Sequence, residues 1–228
     1  MKIIGLSIAA IAFSVCFSSC TALSRWLCTD NVMPDIMEVS TFAIDSLHDC
    51  DLLFQASVSG NAITDVTRGV DDMNIDHVGV FARIDGRPSV IEALPGHGVC
   101  VTPLDSFLCR RMSPEGVPQV VVGRVTGLDV QASLNGVQRF IGCNYDSLYL
   151  PGNREIYCSE LVQFSFVDGG DNFVFESVPM TFRDSSGHIP DFWTRFYARH
   201  GMAVPEGRPG TNPGEMSRRK KVRIVMRF

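Results

Sequence analysis

A cysteine, a histidine and a glutamate stand where their side chains could work as one group. Cys158 opens a helix predicted over 158–167, after an irregular stretch around Gly152-Asn153. The start of a helix presents unpaired N–H groups and the positive end of its dipole, which stabilises a thiolate. The same amides can hold the oxyanion of a tetrahedral intermediate. His77 begins a predicted strand in Asp76-His77-Val78-Gly79, where Gly79 leaves room for a neighbouring backbone. Glu92 lies on the strand that returns after the Asp85-Gly86 turn. That hairpin would set its carboxylate beside the imidazole, holding its tautomer and favouring imidazolium. A nucleophile, a base and an orienter make acyl transfer through a thioester. Taken singly, each has a plainer reading: a buried structural cysteine, a satisfied histidine, a strand glutamate facing solvent. His48, His97, His188 and His200 compete with His77 for the base.

The elements that must position these residues follow from periodicity and punctuation. Short apolar or β-rich runs predict strands over 51–55, 77–84, 88–93, 99–102 and 119–125. The tail KVRIVMRF alternates and reads as a closing strand with one solvated face. Helical spacing predicts a helix over 129–141, with Asp129 as N-cap and Gly142 just past its end. Another is predicted over 190–199, with Pro190 in its first turn. A short helix over 61–70 is broken by Gly69 and Asp71-Asp72, and 113–118 is a loop. The sum is one α+β domain, a mostly antiparallel sheet with packed helices.

Composition bounds the class. The chain has 228 residues, 45% hydrophobic and 20% charged, with a net charge of −5. That excludes disordered, collagen-like and coiled-coil proteins and gives no basic surface for nucleic acid. Only the tail from Arg208 onward is basic, with seven Lys and Arg against Glu215. Residues 1–20 read as a targeting signal, with Lys2 ahead of an apolar run from Ile3 to Phe17. The run ends in Phe17-Ser18-Ser19-Cys20, which resembles a bacterial lipobox with Phe where Leu is usual. On that reading 1–19 is removed, Cys20 is lipidated, 20–48 is a tether and 49–228 is the domain. Plain secretion with cleavage near Ala22, or a retained anchor, is the alternative. Eight cysteines then divide into a discarded Cys16, an anchor at Cys20, the nucleophile Cys158, and Cys28, Cys50, Cys100, Cys109 and Cys143. Five cannot all pair within the chain, and a domain of this size needs no disulfide framework.

Asp51-Leu-Leu-Phe54, Asp76-His-Val-Gly-Val80 and Val90-Ile-Glu-Ala93 resemble strand motifs of the NlpC-type, papain-like cysteine peptidases. In the common arrangement the cysteine helix precedes such strands. Here Tyr157-Cys-Ser-Glu-Leu-Val162 follows them, an order that resembles the circularly permuted papain-like amidases of YiiX/YaeF type. Tyr145-Asp146, Pro179-Met-Thr-Phe182 with Asp184, and the segment 205–214 with Met216-Ser-Arg218 are similar as well. Cys50 departs, since Gly usually precedes Asp51, and it is expected to alter the local turn.

The resemblance implies Cys158 as nucleophile, His77 as general base and acid, and Glu92 as the third polar residue. Tyr145 or Tyr157 would line the pocket or supply a second oxyanion donor. It implies no metal and no cofactor; a monomer is expected, and the lipobox reading anchors it to the membrane through its lipid, facing the periplasm or cell surface. The expected substrate is an amide in cell-envelope peptide. The alternatives are a lipid or N-acyl amide hydrolase or acyltransferase, and a non-catalytic envelope binding module. A zinc site at Cys158 and His77 lacks clustered ligand spacing.

Overall fold

A computed structural model describes residues 43–228. The expected signal segment, Cys16, Cys20, Cys28 and most of the tether lie outside the described residues. Six strands form one antiparallel sheet: β1 Leu52–Ala56, β2 Ile75–Ile84, β3 Arg87–Leu94, β4 Gly98–Pro103, β5 Val120–Val125 and, last in the chain, β8 Val222–Arg227. Their order is β4-β3-β2-β1-β5-β8. A separate two-stranded ribbon pairs β6 Val178–Pro179 with β7 Pro209–Gly210. The helices are α1 Ala62–Val66, α2 Leu104–Cys109, α3 Val130–Arg139, α4 Cys158–Gln163, α5 Asp191–Arg199 and α6 Pro213–Ser217.

Alternation in the strands sorts two cores onto the two sheet faces. Leu52, Phe54, Val78, Val80, Ile91 and Ala93 pack with Val137 of α3, Leu161 and Val162 of α4 and Met216 of α6. Leu53, Phe81, Val90, Val120 and Val122 face the other way, against Leu104, Phe107 and Leu108 of α2. Leu47, in the stretch read as tether, belongs to this second core and is 2% exposed. A third, aromatic cluster of Phe182, Trp193 and Tyr197 forms around α5.

The β2–β3 hairpin turns as its residues require. Asp85 and Gly86 both take positive φ, 50° and 75°, the backbone of the tight turn that Asp-Gly favours. β2 starts two residues earlier than predicted, so His77 sits inside the strand, paired in register with Gln55 of β1. Val80 pairs with Ile91, and the next step sets Glu92 opposite Gly79. His77 lies two residues further along, on the same face as Gly79.

The structure departs from the sequence reading in several places. α4 ends at Gln163 instead of running to Val167, because Val167 leaves the helix to bridge with Phe173. α2 and α6 are helices over segments that the sequence reading leaves unassigned. Pro103 at the cap of α2 and Pro213 in the first turn of α6 start both helices, which are too short to show a period. Cys50 takes φ 66°, the left-handed conformation that glycine adopts freely, and bears its strain. Gly79 leaves room for side chains, not for a backbone. A Cβ there would lie 2.3 Å from Val90 Cγ1 and 3.1 Å from Phe107 Cε2. Gly79→Ala is therefore expected to destabilise the domain by about 1–3 kcal/mol; urea unfolding at the wild-type midpoint would refute the tight packing described.

Candidate active site

The site is built where α4 meets β2 and β3. Tyr157 occupies the cap of α4 in extended conformation, with no side-chain bond to the helix amides. The first intrahelical bond runs from Leu161 N–H to Tyr157 O. The amides ahead of it, including that of Cys158, thus lack helical partners. Cys158 is 5% exposed and lines a cavity of about 430 Å³.

His77 is buried behind it. Its Nε2 lies 2.6 Å from Glu92 Oε2, which leaves Nδ1 as the nitrogen for Cys158. Burial works against a charged imidazole, but hydrogen bonding and charge from Cys158 and Glu92 outweigh it and push His77 up to about 9. Glu92 is completely buried. Burial alone would raise its pKa; the bonds and charges of His77 and Arg110 reverse that and hold it at about 2. Arg110, just past the end of α2, grips Glu92 with both prongs, Nη2 to Oε1 at 2.5 Å and Nη1 to Oε2 at 3.0 Å. Phe107 of α2 lies against the imidazole, with ring centroids 6.1 Å apart, and beneath the Arg110 guanidinium. The structure brings Cys158, His77 and Glu92 together in one line. Arg110 was missed because it belongs to a helix with no sequence period. The other histidines, His48, His97, His188 and His200, are all exposed.

The cavity walls come from three places. Asp146 accepts N–H bonds from Leu148 and Leu150 at 2.8 and 2.7 Å, shaping the loop that carries Tyr145 and Tyr149. The Tyr197 hydroxyl donates to Leu148 O, and the Trp193 indole N–H to Ala62 O, so α5 ties this loop and α1 together. The opposite wall is the β6–β7 ribbon and α6, whose cap Asn212 accepts from Gly214 and Glu215 N–H.

The two candidate tyrosines differ in their partners. Tyr157 hydroxyl accepts the Thr211 N–H at 3.1 Å. Burial, then the charge of Cys158 and the bond to Tyr149, pushes the Tyr145 pKa up, so its hydroxyl stays neutral. Tyr149, which the sequence did not single out, is raised to about 12, first by burial. Glu160, two residues after the nucleophile candidate, is raised to about 8 by burial and by Asp146.

A family model of permuted papain-like amidases, the YaeF/YiiX, C92 family, matches residues 46–226. The chain belongs to that family. The crystal structure of "metalloprotein yiiX" from Escherichia coli O157:H7 is similar in fold, with a TM-score of 0.58 and 22% identity. The match covers 79% of this chain and 97% of that one. No curated protein matches the sequence. Among the described residues here, no three His, Cys, Asp or Glu side chains gather as metal ligands. Both Glu92 oxygens are taken by His77 and Arg110. Family membership makes the protein an amidase by class, with an α+β, permuted papain-like fold.

The pair has a pH signature. Because His77 is raised, its contribution to stability is complete below its ordinary value near 6.5 and is lost as pH rises through about 9. Glu92 is depressed, so its contribution is present above about 4.5 and is lost as pH falls toward 2. NMR titration should find the His77 ring protonated up to about pH 9, with a lower midpoint in Glu92→Gln. A wild-type midpoint in the ordinary histidine range would contradict the Cys158–His77–Glu92 geometry.

Proposed function

We propose that this amidase is a cysteine hydrolase that cleaves an amide of cell-envelope peptide through a thioester on Cys158. The observation that carries the reading is the Cys158–His77–Glu92 line, with a buried, charge-fixed carboxylate at one end and the cavity at the other. The Cys158 thiolate attacks the carbonyl carbon, and a C–S bond forms. Charge moves to the carbonyl oxygen, where the Cys158 N–H and the neutral Tyr145 hydroxyl are the donors at hand. The His77 imidazolium gives its proton to the leaving nitrogen as the C–N bond breaks. Neutral His77 then takes a proton from water, hydroxide attacks the thioester, and the acid leaves with Cys158 restored. Glu92 stays ionised throughout and holds the ring by Nε2.

Charged side chains along the cavity, Arg68, Arg183 and Arg218 with Asp65, Asp184 and Glu215, support an extended peptide with polar ends. An N-acyl amide is the second reading. It is favoured by the apolar wall of Tyr145, Tyr149, Met180, Phe182 and Trp193. A panel of peptide amides and fatty-acyl amides offered to the purified protein separates the two. Cys158→Ala and His77→Ala should each lower turnover of the preferred substrate by about a thousandfold or more; activity retained in Cys158→Ala would overturn the thioester.

We also propose that Cys20 carries the lipid that holds the enzyme at the envelope membrane. Metabolic labelling with a fatty acid should mark the wild-type chain and leave Cys20→Ser unmarked. Equal labelling of both chains would remove the anchor.

A further inference from the structure

We infer that Arg110 is a positioning residue that decides where the proton of the His77–Glu92 bond rests, and through it whether Cys158 can ionise. The inference rests on the hydrolase reading above, but its test needs no substrate.

Glu92 is entirely buried, and across β3 and β4 it stands opposite Cys100. On β2 it meets His77, and at the end of α2 it meets Arg110. A carboxylate in such a place keeps its charge only when its oxygens are bonded and a cation stands close. Arg110 supplies both, with two N–H bonds at 2.5 and 3.0 Å and a full positive charge. His77 alone satisfies one oxygen, at 2.6 Å. Were Arg110 absent, Glu92 Oε1 would lose its partner and the buried pair one of its two cations. Moving the proton from His77 Nε2 to Glu92 Oε2 would then remove the charge separation and leave a neutral ring.

The consequence reaches Cys158 by charge balance. With thiolate, imidazolium, carboxylate and guanidinium in place, the four groups sum to zero. Tyr145, Tyr149 and Tyr157, which feel the charge of Cys158, are all held neutral by burial; Asp146, Glu160 and the Asp76–Arg111 pair act on the same tyrosines and stay in place when Arg110 is replaced. Without Arg110 the same thiolate would leave a buried net negative charge. The group answers by keeping a proton, and the thiol is the site where it blocks the chemistry. Arg110 is itself partly open, with 27% of its side chain exposed, and its guanidinium stacks over Phe107 at 5.4 Å. Phe107 in turn lies against the His77 ring. One short helix thus fixes both the position and the charge of the pair.

The measurement is the pH dependence of Cys158 alkylation by iodoacetamide, on the full chain and on Arg110→Met, Arg110→Gln and Arg110→Lys. Peptide mapping identifies the labelled thiol, and circular dichroism confirms folding. In Arg110→Met and Arg110→Gln the midpoint for Cys158 should rise by about one pH unit or more, and the rate at pH 7 should fall about tenfold. Arg110→Lys keeps the charge and should recover most of both. Nitrogen-15 chemical shifts should show His77 as imidazolium in the wild type at pH 7 and neutral in Arg110→Gln. A purely structural role would lower the unfolding temperature of all three variants and leave the midpoints together. An unchanged midpoint in folded Arg110→Gln, or a Lys variant no better than Gln, overturns the inference. If Arg110→Met fails to fold, the Gln and Lys pair decides, since they differ in charge. If Cys158 is no more reactive than Cys50 or Cys143 in the wild type, the nucleophile itself is wrong, which separates that failure from this one.

Discussion

Glu92 is a carboxylate with no access to water, and much of this fold can be read as the means of keeping it there. Burying an ionised acid costs several kcal/mol unless its oxygens are bonded and its charge is met. Here the partners come from opposite directions, His77 from the neighbouring strand and Arg110 from the end of α2. The hairpin delivers the first and the α2 core delivers the second. Gly79 is the hinge of the arrangement. It stands opposite Glu92 and has no side chain, so Val90 and Phe107 fill the space and the carboxylate reaches along the strand to His77.

The sheet is the rigid part of the site, and α4 is brought to it. α4 is only six residues long, so its dipole is small and its contribution is local: unpaired amides and a fixed Cα position for Cys158. Its placement depends on Leu161 and Val162, which are fully buried in the core shared with β2 and β3. The cavity wall is assembled differently, from loops pinned by single side chains. Asp146 holds the tyrosine loop by two backbone amides, and Asn212 caps the helix facing it. Rigid strands thus carry the proton-handling groups, and loops shape the space for substrate.

A similar pattern of buried acids serves the frame. Asp51 is 1% exposed and takes both prongs of Arg124 at 2.7 Å across β1 and β5. Like Glu92, it is a buried carboxylate satisfied by an arginine from another element. The two pairs differ in what else they touch. Asp51 also accepts the His48 N–H ahead of the strand, whereas the second partner of Glu92 is an imidazole that bonds to Cys158, which lines the cavity.

Local pattern determined a good deal by itself. The Asp85-Gly86 turn, the alternation of β2 and β3, the Asp129 cap of α3 and the helix opening at Cys158 were all legible, because each is written in a few adjacent residues. So were Cys158, His77 and Glu92 as a set, through their order and their motifs. Tertiary structure alone decided the rest. α2 and α6 have five or six residues each, too few to show a period, so Arg110 and Phe107 were invisible as neighbours of Glu92. The Tyr157 hydroxyl accepts the N–H of Thr211, 54 residues away in sequence, a contact that no local spacing announces. Cys50 holds a left-handed turn that its residue type argues against, because the surrounding core over-determines that backbone. Proton affinities belong to the same class: they depend on burial and on charges brought together from separate strands and helices, which no linear spacing encodes.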